Sequence, residues 1–93
     1  MRITTKEHQA IKDVIHQLDP RAKIYLFGSR IDDHSRGGDI DLLILSEVIT
    51  DLDRRNLRVE LFDRLGEQKI DLIIAKDLSR AFVRIAYNQG LLL

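Results

Sequence analysis

The feature that most constrains this chain is a pair of aspartates one residue apart at the head of an apolar run, Asp39-Ile40-Asp41-Leu42-Leu43-Ile44-Leu45, with Phe27-Gly28-Ser29 nine residues upstream. The run reads as a strand. Strand side chains alternate faces, so Asp39 and Asp41 point the same way with Cα atoms roughly 6.6 Å apart. Two like charges held that close repel unless a cation lies between them, and a divalent metal is the usual answer. A second apolar run, Lys69-Ile70-Asp71-Leu72-Ile73-Ile74-Ala75, opens on another carboxylate. Three acids from two strands can therefore converge.

The segments around these strands are helical in pattern. Thr4-Thr5-Lys6-Glu7 forms a capping-box sequence ahead of Ile11, Val14, Ile15 and Leu18, which predicts a helix from about Thr5 to Leu18, ending before Asp19-Pro20. Lys23 to Phe27 predicts a strand ending at Gly28, and Ser29 to His34 a short helix followed by loop. Thr50 caps a helix with Leu57, Leu61, Phe62 and Leu65 on one face, stopped by Gly66. Leu78, Ala81, Phe82, Ile85 and Ala86 mark a last amphipathic helix closed by Gly90, leaving Leu91-Leu92-Leu93 as a tail. The order is αβαβαβα, an α/β (α+β) arrangement of a small mixed sheet packed with helices. The apolar faces of the second and third strands require cover on the acid-bearing side, from a helix of this chain or from a partner.

At 93 residues, 44% of them hydrophobic, residues 1–93 read as a single domain. The 15 basic and 15 acidic residues cancel, so no global positive field points to a nucleic-acid backbone. The absence of cysteine removes disulfides and thiolate chemistry and agrees with a reducing compartment. With no signal-peptide pattern and no apolar run of spanning length, the expectation is a soluble cytoplasmic protein.

A strand that ends in Gly28-Ser29 and leads into a helix offers free backbone N–H groups and the positive end of the helix dipole to an anion. Gly28 permits close approach, Ser29 adds a hydroxyl donor, and Arg30 is placed to clamp a phosphate. Opposite Asp39 and Asp41, that nest makes a layout for a metal nucleotide. Magnesium suits it, being bound through a few carboxylates plus substrate phosphates. A two-metal site would activate an attacking hydroxyl and stabilise the leaving pyrophosphate.

Phe27-Gly28-Ser29 followed by Asp39-Ile40-Asp41-Leu42 resembles the signature of the DNA polymerase β superfamily of nucleotidyltransferases. The small size, with Gly-Ser-Arg and Asp-Ile-Asp-Leu-Leu-Ile, looks most like its minimal nucleotidyltransferases (MNT), which often pair with a helical HEPN protein as antitoxin and toxin. The resemblance implies a polymerase β-like core covering essentially the whole chain, with Gly28 and Ser29 on the triphosphate. It also implies that Asp39 and Asp41 hold two Mg2+ ions, for which Mn2+ substitutes, and that Asp71 completes the metal set and assists deprotonation of the acceptor. The reaction implied is transfer of a nucleoside monophosphate, AMP from ATP, to a hydroxyl of the HEPN partner.

Plainer readings exist for each part. Gly28-Ser29 alone is a turn and helix cap, Asp39, Asp41 and Asp71 singly are acids at strand entrances, and Arg36 is a surface charge. His8, His16 and His34 have no metal-ligand spacing, Tyr25 and Tyr87 read as packing residues, and Arg54, Arg55, Arg58 and Arg64 as a solvated face or a surface for an acidic partner or RNA. Competing functions are a non-catalytic antitoxin or regulatory subunit, and nucleotidyl transfer to RNA or a small molecule. The leucine tail is expected in a protein interface, where it could support self-association, or else folded back on the domain.

Overall fold

The computed structural model describes residues 3–28, 40–66 and 69–93. Helix α1 spans Thr5–Leu18 and begins where the capping box closes: the Glu7 backbone N–H donates to Thr4 Oγ1 at 3.0 Å and the Thr4 N–H to Glu7 Oε1 at 2.8 Å. It buries Ile11, Val14 and Ile15 and ends at Asp19, ahead of Pro20. Strand β1 is Lys23–Phe27 and β2 is Ile40–Leu45. After a 3-10 turn over Asp51–Asp53, capped by Thr50, helix α2 runs Arg54–Leu65 and stops at Gly66, whose φ of +87° lies in the region that favours glycine. Strand β3 is Ile70–Ala75, α3 is Ala81–Gln89, and β4 is Leu91–Leu92.

The sheet order is β3-β2-β1-β4. β1 pairs antiparallel with both β2 and β4, while β2 and β3 run parallel, joined by a crossover that carries α2. One face, formed by Ile24, Leu26, Ile40, Leu42, Ile44, Ile70, Leu72 and Ile74, packs on α1 and α2 and makes the main core. The opposite face carries Tyr25 and Leu43 under Val83 and Ala86 of α3. Tyr25 and Tyr87 meet edge to face with centroids 5.0 Å apart, as packing residues do.

Of the two expectations for the leucine tail, folding back on the domain is present: β4 adds to the edge of β1, the Leu93 N–H donates to the Ile24 carbonyl at 2.8 Å, and Leu93 packs on the main core. A two-residue strand has no periodicity by which a sequence could announce it, and backbone pairing anchors the tail even though Leu92 remains exposed. In α3 the buried face is Val83 and Ala86, whereas Phe82 and Ile85 are exposed and Leu78 lies before the helix. Apolar residues occur on two sides of this short helix, so periodicity alone did not orient it. On α2, Leu57 and Leu61 are buried but Phe62 is 47% exposed, at the margin of the face rather than in it. The short helix expected over residues 29–34 lies outside the described residues.

Candidate active site

The register of the sheet sets the site. Phe27 of β1 is the partner of Asp41 in β2, and Asp41 is the partner of Asp71 in β3. Paired residues on neighbouring strands project to the same face, with strands about 4.8 Å apart. That face is the α3 side, since the residues before and after them, Ile40, Leu42, Ile70 and Leu72, enter the main core on the other. Asp41 and Asp71 thus stand side by side at the N-terminal ends of two parallel strands, both half-buried, with Phe27 in the same row. The next row, Tyr25, Leu43 and Ile73, is the one α3 covers in part, which meets the expectation that a helix shields the acid-bearing face.

Gly28 follows β1 and adopts φ +78°. A side chain there would collide with Asp41 Oδ2 and come within 3.1 Å of its carboxyl carbon. The Asp41 carboxylate therefore lies against the Gly28 backbone, and only glycine leaves space for it. This close approach joins the two halves of the sequence motif: Gly28 and Asp41, distant in sequence, are in contact. Asp39, Ser29 and Arg30 lie outside the described residues, as does Arg36. Among the described residues no three metal-ligating side chains form a group, and Asp41 and Asp71 are the two that converge.

Beyond Asp71 the surface dips into a cavity of about 330 Å³ between α2 and β3, lined by Arg58, Val59, Phe62, Lys69, Ile70 and Asp71. In the sequence Arg58 belongs to a solvated face or a surface for an acidic partner or RNA, and nothing there connects Phe62 or Lys69 with Asp71. At the opposite end of the sheet, Asp19 is buried at 6% exposure, accepting from Ser46 Oγ at 2.6 Å and from the Arg21 N–H at 2.9 Å. The Ser46 hydroxyl, then the Arg21 amide, hold its carboxyl below the ordinary value of 3.8. This is a loop clamp distant from the paired acids. His16 is likewise structural, its Nε2 lying 3.1 Å from the Ala22 carbonyl.

Residues 9–93 match the family described as Polymerase beta, Nucleotidyltransferase. The chain belongs to that family. No curated protein matches it. Among solved structures it is similar to a chain in the crystal structure of the toxin-antitoxin MntA-HpeT, in a mutant with two aspartates changed to glutamate. The TM-score is 0.73 and the identity 25%, over 92% of this chain and 70% of that one. The chain is thus a nucleotidyltransferase of the MNT type with the polymerase β-like fold, a family that works on nucleoside triphosphates with a divalent metal. No helix among the described residues of this nucleotidyltransferase is long and apolar enough to cross a membrane.

Proposed function

We propose that this nucleotidyltransferase transfers AMP from ATP to a hydroxyl of a partner protein, as the antitoxin of a HEPN-type toxin in the cytoplasm. The observation that carries the reading is the placement of Asp41 directly beside Asp71 and against Gly28, which brings a glycine backbone and two carboxylates to one end of the sheet. The similarity to a chain of the MntA-HpeT toxin-antitoxin supports the antitoxin role.

In this reading Gly28 and Ser29 present backbone N–H groups and a hydroxyl to the triphosphate, with Arg30 beside them. Asp41 and Asp71 fit a magnesium site in kind, since hard carboxylate oxygens on adjacent strands are the donors that ion takes, and Asp39 completes the set. Bound there, two such ions neutralise the triphosphate and the departing pyrophosphate. The acceptor hydroxyl oxygen forms its bond to the α-phosphorus as the bond from that phosphorus to the bridging β-phosphate oxygen breaks. The hydroxyl proton passes to the Asp71 carboxylate, and pyrophosphate leaves. Gly28, having no side chain, leaves the Asp41 carboxylate the space it occupies.

A protein acceptor agrees with this division of labour. Gly28, Ser29, Asp39, Asp41 and Asp71 are read as the donor half, and a docked macromolecule brings its own orientation, worth several kcal/mol of the barrier. The test is incubation with ATP and magnesium, with and without the product of the adjoining reading frame. Pyrophosphate release that rises only with that product, with its intact mass growing by one or more AMP units, supports the reading. Equal release without it refutes the protein acceptor.

A further inference from the structure

The cavity beside Asp71 lies at a sheet edge. Among the described residues β3 is the outermost strand, with β2 as its neighbour in the sheet. The Ile40 N–H donates to the Lys69 carbonyl at 2.9 Å and the Ser46 N–H to the Ala75 carbonyl at 3.0 Å, so the odd-numbered residues of this stretch turn their backbone groups toward β2. By alternation Ile70, Leu72 and Ile74 turn theirs outward. The Arg80 guanidinium reaches the Ile74 carbonyl at 3.4 Å and so occupies the far end. Among the described residues nothing pairs with the outward N–H and C=O groups of Ile70 and Leu72, which flank Asp71 and make a template for an added strand.

The flank of this edge is basic and apolar together. Arg55, Arg58, Val59 and Phe62 follow i, i+3, i+4, i+7 spacing on α2 and are all exposed, making one stripe above β3. Arg54 is paired with Asp51, whereas among the described residues neither Arg55 nor Arg58 has an ion-pair partner. Phe62 and Val59 supply the apolar wall of the cavity, and Arg58 and Lys69 its cationic rim.

We propose that this edge and groove dock an extended, acidic segment of the acceptor protein. The segment adds as a strand to β3 through Ile70 and Leu72, meets Arg58 and Lys69 with its carboxylates, and seats an apolar side chain on Val59 and Phe62. The proposal rests on the protein-acceptor reading and adds to it the surface that delivers the hydroxyl to Asp71. Charge complementarity and the two outward backbone groups favour such a segment. The apolar wall of Val59 and Phe62, which suits a side chain of such a segment, disfavours a chain of phosphates.

The test uses the full chain and the product of the adjoining reading frame, with binding measured by calorimetry and amide exchange followed residue by residue. The expected result is new protection of the Ile70 and Leu72 amides on binding. The variants R58E and F62S should each weaken affinity by about tenfold or more while leaving the affinity for magnesium-ATP unchanged, which shows that the fold is intact. Transfer to the product with Ile70 and Leu72 unprotected, or with affinity unchanged in both variants, overturns the docking and leaves the function standing. Protection with weakened variants but no transfer upholds the docking and refutes the function. Protection that appears on concentrating the chain alone assigns the edge to a second copy, and protection by a short single-stranded oligouridylate assigns it to RNA; either overturns the proposal.

Discussion

Gly28→Ala is the substitution on which the site geometry bears most sharply. Two separate costs arise. At φ +78° an L-residue sits in the left-handed region, at about 1–2 kcal/mol relative to glycine. The new methyl also overlaps the Asp41 carboxylate, whose Cγ and Cβ would lie 3.1 and 3.3 Å away. Relief requires the carboxylate to swing off its rotamer, at about 0.5–1.5 kcal/mol. Together these amount to about 1.5–3.5 kcal/mol, which for a domain of this size is a fall in Tm on the order of 10 °C. The larger effect is on chemistry, because a displacement of about 1 Å in a reacting group reduces rate by about 100-fold. Gly66→Ala separates the two contributions: its φ is +87° but a methyl there meets nothing within 4 Å. Thermal denaturation and pyrophosphate release with the partner are measured on both variants. Gly66→Ala should lose stability and keep its rate per folded molecule, whereas Gly28→Ala loses both. Equal rates in the two variants would refute the claim that Gly28 is required by Asp41.

Asp71→Asn removes one of two neighbouring carboxylates and should leave Tm unchanged or raised while transfer falls by about 100-fold or more, as expected for loss of a proton acceptor; a collapse of the fold instead would make Asp71 structural. ATP should bind only with magnesium or manganese, because Asp39 and Asp41 otherwise repel the triphosphate; equal affinity in chelator by calorimetry contradicts this. The folded-state carboxyl of Asp19 is depressed, so its contribution to stability is complete above the ordinary value of 3.8 and is lost as pH falls through the lower folded value. Ser46→Ala should therefore lower Tm near neutral pH more than below pH 3, read by denaturation across that range. Deleting residues 91–93 removes β4 and the core contact of Leu93, at about 1–2 kcal/mol, and should lower Tm without weakening the partner complex.

Local rules carried much of this fold. The Thr4 capping box, the alternation in Ile40–Leu45 and Ile70–Ala75, and the Gly66 stop are each written in a few adjacent residues, and the elements they imply are present. What adjacent residues do not encode is register. That Asp41 would pair with Asp71 depends on β2 and β3 running parallel without a slip, and the contact between Gly28 and Asp41 depends on the β1–β2 pairing as well. The β4 strand was illegible for the same reason, since its two leucines are defined by the β1 edge they join and not by any pattern of their own. Phe62 shows the limit of helical periodicity: its spacing from Leu57 and Leu61 places it near the buried face, yet the core closes before reaching it.

The central claim is that the paired acids at the head of β2 and β3 transfer a nucleotide to a protein. Its most direct test is the intact mass of the partner after incubation with magnesium-ATP and either the wild-type chain or Asp71→Asn. The account predicts a partner heavier by one or more AMP units with the wild type and unmodified with the variant. A partner that is inhibited by the wild-type chain yet never gains mass would contradict it, leaving neutralisation by contact alone.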